Sequence, residues 1–127
     1  MINDRYLLAF AATGLIPIAL GYGLNPPAIL TYLYGFEVSG INQPHIFRAV
    51  MGLYLGQIIF WYLGFAKKEF RRPALYMMAT FMLGLASGRL LSLVLDGLPN
   101  GLLLLYFCLE TLLGTFALVS LRQSTRV

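Results

Sequence analysis

Apolar residues follow the chain in four long blocks that short polar or proline-containing segments separate. The blocks cover residues 6–24, 46–65, 73–95 and 99–121. A helix needs about 20 predominantly apolar residues to cross the hydrocarbon core of a bilayer, and each block is close to that length. The pattern therefore predicts four membrane-spanning helices.

Prolines mark the edges and one interior point of these blocks. Pro26 and Pro27 follow the first block, which is longer than the roughly 7 to 15 apolar residues of a secretory signal peptide and therefore favours a retained helix. Pro17 lies inside that block, where a membrane helix tolerates a bend. Pro73 begins the third block, and we expect it in the first turn of its helix, where the missing backbone donor costs nothing.

The segment 25–45 between the first two blocks is mixed, with prolines, glycines and aromatic side chains. Within it, residues 28–36 read AILTYLYGF, which is too short to span a bilayer and rich in the aromatic residues that favour the headgroup region. We expect a short interfacial helix here. It serves either as a tether between two spans or as a lid over a ligand.

The composition supports a single membrane domain over residues 1–127. Hydrophobic residues make up 59% of the chain and charged residues 11%, whereas soluble domains average about 25% charged residues. We therefore expect an all-α membrane four-helix bundle. With one Cys and one His, the chain lacks the ligand pairs of disulfide frameworks, zinc sites and haem sites, so we expect no metal and no cofactor.

Lysine and arginine fall on one side of a four-span arrangement. Arg5, the basic residues between the second and third blocks, and Arg122 with Arg126 share that side, while the segments 25–45 and 96–100 contain neither residue type. The positive-inside rule then predicts that both termini face the cytoplasm of a bacterial inner membrane. Basic residues divided among short membrane-edge segments form no helix for reading bases, so we expect no nucleic-acid partner.

Ionisable residues in the apolar blocks carry most of the functional information. Arg48, Arg89 and Glu110 lie in the second, third and fourth blocks, and Asp96 follows the third. A charge in hydrocarbon is costly unless it is paired or hydrated. At about 1.5 Å of rise per residue, Arg89 and Glu110 differ by only about 6 Å in depth on helices joined by a tight turn, which predicts an ion pair. We expect Arg48 either to reach toward the interface or to join this pair.

Helical spacing predicts that three helices each present a stripe of small and polar residues. Residues three or four positions apart share a helix face, and glycines on that face let another helix approach closely. The stripes combine Arg48 with Gly52 and Gly56, Arg89 with Gly84, Gly88, Ser92 and Asp96, and Glu110 with Gly101, Tyr106 and Gly114. We expect the bundle to bury these stripes against one another, with a polar cluster in its outer half. The candidate members of that cluster are Asn42, Arg48, Arg89, Ser92, Asp96, Tyr106 and Glu110.

Two interpretations of this polar cluster stay open at the level of sequence. In the first, its charges neutralise one another and fix the register of the helices. In the second, the cluster forms a pocket under the segment 28–36 that binds a lipid headgroup or a small polar or amphipathic molecule. Two arginines against one deeply placed carboxylate leave room for an anionic ligand.

The function that we predict is a non-enzymatic accessory subunit or ligand-binding module. Its expected partners are membrane lipids and either other membrane subunits or a second copy of the chain. The alternative is a transporter component in which Glu110 titrates and Arg89 holds substrate or tunes that carboxylate. A lipid-modifying membrane enzyme, with Glu110 or Asp96 as acid or base and Tyr106 assisting, ranks below both because no nucleophile or metal set accompanies the carboxylates.

Four sequence runs carry a family resemblance: NPPAILTYLYG, INQPHIFRAVMGLYLG, FMLGLASGRLLSLVLDGLP and LYFCLE. Together they resemble the uncharacterised bacterial family known as domain of unknown function 4345. The resemblance covers nearly the whole chain and implies a small four-helix membrane protein, but no activity. Its characteristic positions in this sequence are Asn42, Arg48, Gly52, Tyr54, Gly88, Arg89, Ser92, Asp96, Gly97, Pro99 and Glu110.

Overall fold

The computed structural model describes residues 3–125, which form five helices and, within that range, no strand. The helices are α1 (Asp4–Gly23), α2 (Pro26–Tyr34), α3 (Asn42–Ala66), α4 (Lys68–Leu95) and α5 (Gly101–Ser124). The four long helices, α1, α3, α4 and α5, have the length and apolar character needed to cross a membrane. The predicted all-α membrane bundle with four spans is therefore confirmed by length and composition.

The start of α4 differs most from its prediction. The helix begins at Lys68, so Pro73 lies in its second turn and the expectation of a first-turn proline is wrong. The apolar block begins only at Pro73, but the charged residues before it also favour a helix and extend it toward Lys67. Because Pro73 is still close to the helix start, the only backbone bond that it removes is the one to Glu69.

A short helix occupies the predicted interfacial segment, shifted by two residues from 28–36 to Pro26–Tyr34. Asn25 precedes it, and its side chain accepts a hydrogen bond from Ala28 N at 3.3 Å. Gly35 ends it with a φ of 73°, a left-handed conformation that commonly terminates helices and favours glycine. The short helix between the first two spans is thus present, and its depth in a bilayer stays a prediction.

The alternating directions of the long helices gather both chain ends on one side of the bundle. The Arg5 guanidinium lies 4.5 Å from the Phe65 ring centre, and Ser124 Oγ donates to Asp4 Oδ2 at 3.3 Å. We call this side, which also holds the basic turn between α3 and α4, the basic end. The opposite side holds α2 and the α4–α5 turn, and we call it the α2 end. Arg126, one of the basic residues that predict which side of the membrane the termini face, lies outside the described residues.

Apolar packing is concentrated toward the basic end. α1 packs mainly on α3, α4 packs mainly on α5, and α3 joins the two pairs, while α1 barely touches α5. The fully buried side chains in this region include Trp61, Leu8, Leu75 and Met78. Gly64 lets α3 approach α4 closely, because a Cβ at this position would lie only 2.5 Å from the Cβ of Ala74.

The expectation that all three glycine stripes are buried is wrong. Five of these glycines are exposed, and a Cβ added to any of them would meet no atom within 4 Å: Gly52, Gly56, Gly84, Gly88 and Gly101. Gly114 of α5, in contrast, is packed, and its added Cβ would lie 2.7 Å from Leu83. Periodicity identifies residues that share a face, but it does not say which face a neighbouring helix covers.

Candidate functional site

Arg89 and Glu110 form a bidentate ion pair between α4 and α5. Arg89 Nε donates to Glu110 Oε2 at 2.7 Å, and Arg89 Nη2 donates to Glu110 Oε1 at 3.0 Å. The two side chains are 21% and 10% exposed, respectively. Charge-assisted pairs of this geometry are among the strongest polar contacts in proteins. The ion pair predicted from helix depth is therefore present.

A tight turn and a close helix contact bring the two charges together. Gly97 in the turn has a φ of 100°, a conformation that glycine adopts without steric cost. Asn100 then caps α5 by accepting a hydrogen bond from Leu103 N at 3.0 Å. Further along α5, Gly114 lies against Leu83 of α4. These features keep α5 close to α4 along the stretch that contains the ion pair.

Tyrosines surround the ion pair on the side of α2. The Arg89 guanidinium lies 5.7 Å from the ring centre of Tyr106, and the Tyr34 hydroxyl of α2 donates to the Tyr106 hydroxyl at 3.5 Å. Tyr22 of α1 packs beside Tyr34 and Tyr54, with ring centres 6.1 Å and 5.4 Å away. α2 therefore covers the bundle at the end nearest the ion pair.

Two polar contacts fasten α2 to α5. Besides the tyrosine contact, Asn100 Nδ2 donates to the Leu33 backbone oxygen at 3.2 Å. Burial and the hydrogen bond with Tyr106 raise the pKa of the Tyr34 hydroxyl above its ordinary value. Tyr34 therefore stays protonated around neutral pH and keeps its ability to donate.

Sequence reasoning missed Tyr22, Tyr34 and Tyr54 as neighbours of the polar pair. By sequence alone, the aromatic residues of the segment 28–36, Tyr34 among them, favour the headgroup region. The signal available in the sequence was the presence of tyrosines on three different predicted elements in the same predicted half of the bundle. Depth alone, however, does not predict which helix faces bring them together.

Ser92 and Asp96 lie on α4 near the ion pair but pair with each other. Ser92 Oγ donates to Asp96 Oδ2 at 2.6 Å, and both residues are exposed. In the part of the chain that the structure describes, neither makes a hydrogen bond or ion pair with Arg89 or Glu110. The predicted polar cluster is therefore divided into a buried pair and an exposed pair.

Asn42 and Arg48 do not join the buried ion pair. Asn42 is the exposed first residue of α3. Arg48 is also exposed, and its Nε donates to the backbone oxygen of Gly23 at 3.2 Å. A cation at the C-terminal end of a helix satisfies carbonyls that have no partner within the helix. Arg48 thus secures the end of α1.

The first opening beside the ion pair lies between α3 and α4 toward the α2 end, and we call it the α3–α4 groove. Its volume is about 680 Å³. The residues that line it include Tyr22, Val50, Leu53, Tyr54, Gly84, Gly88, Arg89 and Ser92. The exposed glycines of α4 thus form part of a groove wall and not a helix contact.

The second opening lies between α1 and α5, and we call it the α1–α5 crevice. Its volume is about 120 Å³. Its rim and walls are apolar and include Phe10, Gly14, Ile18, Leu109 and Leu113. Its buried floor includes Tyr54, Tyr106 and Glu110.

The ion pair is oriented between these two openings. Arg89 lines the α3–α4 groove, whereas Glu110 lines the α1–α5 crevice. Arg89 also borders a smaller pocket of about 100 Å³ between α4 and α5, next to Gly97 and Phe107. The cationic partner therefore borders one opening and the anionic partner the other.

Metal-binding groups are not brought together in the region that the structure describes. No group of three or more His, Cys, Asp or Glu side chains that could hold a metal ion occurs there. The chemistry that the site does offer consists of guanidinium, carboxylate and tyrosine hydroxyl groups. The expected lack of a metal and a cofactor stays a prediction.

Comparison with known protein families gives a match over most of the chain. A family model described as domain of unknown function (DUF4345) matches residues 4–121, a range that contains both members of the ion pair. The chain belongs to the DUF4345 family. The match covers nearly the whole chain, as the sequence resemblance implied, and the DUF4345 description states no activity. Neither the curated proteins nor the solved structures gave a match.

Proposed function

We propose that this DUF4345 protein is a non-enzymatic module of a bacterial inner membrane that binds an amphipathic molecule in the α3–α4 groove. The observation that carries the proposal is the free edge of the Arg89 guanidinium. Nε and Nη2 bind Glu110, the Tyr22 hydroxyl lies beside the guanidinium, and Nη1 has no carboxylate partner within residues 3–125. A guanidinium has five N–H donors, so this edge still offers donors to a phosphate or carboxylate headgroup.

The walls of the α3–α4 groove favour a ligand with an apolar chain. Beyond Arg89 and Ser92 toward the basic end, the groove is lined by Leu85 and Phe81, and the glycines of α4 leave space beside them. Ser92 and Thr80 mark its two ends on α4, which corresponds to a length of about 18 Å. A molecule with an anionic head at Arg89 and a hydrocarbon chain along α4 matches this polarity.

The ion pair supports binding by holding Arg89 in place. A lone guanidinium in hydrocarbon would turn toward water, whereas a bidentate partner fixes its plane and offsets part of the cost of burying it. Glu110 is therefore a positioning residue in this proposal. Arg89 is the residue that contacts the ligand.

Native mass spectrometry of the protein purified in mild detergent tests this function. We expect a phospholipid or another anionic amphiphile to be retained by the unchanged protein. Gly88→Leu should release it by filling the groove, while the matched variant Gly56→Leu should retain it. Both glycines have open space around an added Cβ, but only Gly88 lines the groove.

The double variant Arg89→Leu with Glu110→Leu provides the second arm of this experiment. We expect it to release the retained molecule while the protein stays folded and loses little stability, because the buried charges leave together. Equal retention by Gly88→Leu and Gly56→Leu would contradict groove binding. A retained polypeptide in place of an amphiphile would favour an accessory subunit, with another membrane protein or a second copy as its partner.

A transport role for Glu110 is a second candidate, favoured by the position of the ion pair between the two openings. Glu110 borders the α1–α5 crevice and Arg89 borders the α3–α4 groove, so exchange of partners at Glu110 would connect them. This candidate predicts that the protein moves its substrate across the membrane of proteoliposomes at a pH-dependent rate. Glu110→Gln should abolish this transport. Glu37→Gln, a change in an exposed loop, is the matched control.

We also propose that the basic end faces the cytoplasm, as the positive-inside rule requires. The test uses a background in which the single cysteine is replaced by Cys108→Ala. On intact cells, a membrane-impermeant maleimide should label Glu37→Cys and leave Lys68→Cys unlabelled until the cells are lysed. Labelling of Lys68→Cys on intact cells would reverse the orientation.

A further inference from the structure

The orientation of the ion pair also gives the α1–α5 crevice a chemistry of its own. Glu110 contributes to the buried floor of this crevice, whereas Arg89 is not among the residues that line it. We infer that the crevice binds the hydroxyl-bearing end of a neutral hydrocarbon molecule. This inference concerns a different opening and a different headgroup from the proposed function, and it does not depend on it.

The size of the crevice limits what its enclosed part holds. Its volume of about 120 Å³ approaches the roughly 150 Å³ of an engineered apolar cavity that binds benzene in another protein. The enclosed part therefore accommodates a single ring or a short branched end. Any longer chain must leave between α1 and α5.

The helix arrangement provides a route for that chain. α1 and α5 barely touch, although both belong to the same bundle. Phe10 on α1 is 71% exposed and Leu109 on α5 is 41% exposed, so the rim of the crevice opens toward the lipid-facing surface. A hydrocarbon chain can thus enter sideways from the bilayer.

The polar floor selects the headgroup. Each Glu110 oxygen accepts one hydrogen bond from Arg89, while a carboxylate has about four acceptor positions in total. The remaining positions favour a hydrogen-bond donor and repel an anion. An ammonium head would bring a second desolvated cation to a carboxylate that Arg89 already neutralises, so an uncharged hydroxyl is the best match.

The test compares three photoreactive probes that share one chain and differ in headgroup: dodecanol, dodecanoic acid and dodecylamine, each with a diazirine next to the head. The purified protein in phosphatidylcholine nanodiscs is irradiated with each probe, and the labelled residues are mapped by mass spectrometry. Labelling of residues 10–18 and 109–113 is divided by labelling of Ile59, an exposed residue of α3 outside the crevice. We expect this ratio to be about fivefold higher for dodecanol than for the other probes, as one net hydrogen bond provides.

A pair of glycine variants shows whether the label reports the crevice. Gly14 lines the crevice and has open space around an added Cβ, so Gly14→Leu fills it without a clash. Gly52 has equally open space but lies outside the crevice. We expect Gly14→Leu to remove the dodecanol preference and Gly52→Leu to keep it, with unchanged melting temperatures for both.

Several results would overturn the inference. They are equal labelling of the crevice by all three probes, a preference for the acid or the amine, and a dodecanol preference that survives Gly14→Leu. Labelling of residues 84–92 by dodecanoic acid reports separately on the α3–α4 groove. Failure of the crevice inference and failure of the proposed function are therefore distinguishable in one data set.

Discussion

The basic end and the α2 end of the bundle are held together by different interactions. At the basic end, Gly64 lies against Ala74, and large side chains such as Trp61 and Met78 fill the space between helices. Toward the α2 end, α3 and α4 leave a groove between them, and the ion pair of Arg89 and Glu110 links α4 to α5 beside it.

This difference teaches where a membrane bundle has room for a ligand. Glycines that face a neighbouring helix close the space between helices, as Gly64 and Gly114 do. Glycines that face no helix, such as Gly84 and Gly88, leave that space open. The candidate site lies beside the second kind, next to the ion pair of Arg89 and Glu110.

We expect the largest loss of stability from removing one member of the ion pair at the α2 end. Arg89→Leu leaves the Glu110 carboxylate buried without its partner, which should lower the free energy of unfolding by about 3 kcal/mol. Adding Glu110→Leu should recover most of that loss. Equilibrium unfolding in mixed detergent measures both variants.

Arg48→Leu is the control for this experiment, because Arg48 is exposed and its Nε binds a backbone oxygen. We expect it to cost no more than about 1 kcal/mol. If the double variant is as unstable as Arg89→Leu alone, the α2 end does not depend on charge pairing in the way that we describe.

We expect the next largest difference in stability when a glycine is replaced by leucine at each end of the bundle. Gly64→Leu forces a side chain against Ala74 and Leu8, and overpacking of this kind should cost about 2 kcal/mol. Gly88→Leu points into open space and should change stability by less than about 0.5 kcal/mol. Similar losses for both variants, measured by thermal unfolding, would show that the two ends are packed alike.

A smaller effect is expected where α5 meets α2. Asn100→Ala removes the cap on Leu103 N and the bond to the Leu33 oxygen, and should cost about 1 kcal/mol. Hydrogen exchange should quicken at the amides of α2. Asn42→Ala serves as the control, because α3 has no side-chain cap. Unchanged exchange in α2 would mean that other contacts hold this helix.

The smallest effect is expected for a polar contact at the basic end. Ser124→Ala removes an exposed hydrogen bond to Asp4 and should change the free energy of unfolding by no more than about 0.5 kcal/mol. Thermal unfolding provides the measurement. A much larger loss would show that surface polar contacts, and not apolar packing, secure this end.

The span count and the ion pair could be predicted because each depends on distances along the chain. Apolar block length determines whether a helix can cross a bilayer, and residue counting from a tight turn places Arg89 near Glu110. The first argument does not depend on which helices pack side by side, and the second needs only the pairing of α4 with α5 that their tight turn implies.

The exposed glycines, the role of Arg48 and the tyrosines around the ion pair could not be predicted in this way. Each depends on the rotation of one helix against another. The inward face of α3 is the one that carries Tyr54 and Trp61, so Gly52 and Gly56 lie on its exposed surface. Both faces have helical spacing, and the sequence pattern does not distinguish them.

The order of residues in the ion pair has a consequence for how the protein enters its membrane. Arg89 precedes Glu110 by 21 residues. At about 5–20 residues per second, the ribosome therefore delivers the arginine roughly one to four seconds before the carboxylate that neutralises it. α4 and α5 should consequently be integrated as a hairpin. α2 waits longer still for its polar contacts, because Asn100 and Tyr106, which bind it, are synthesised only with the α4–α5 hairpin.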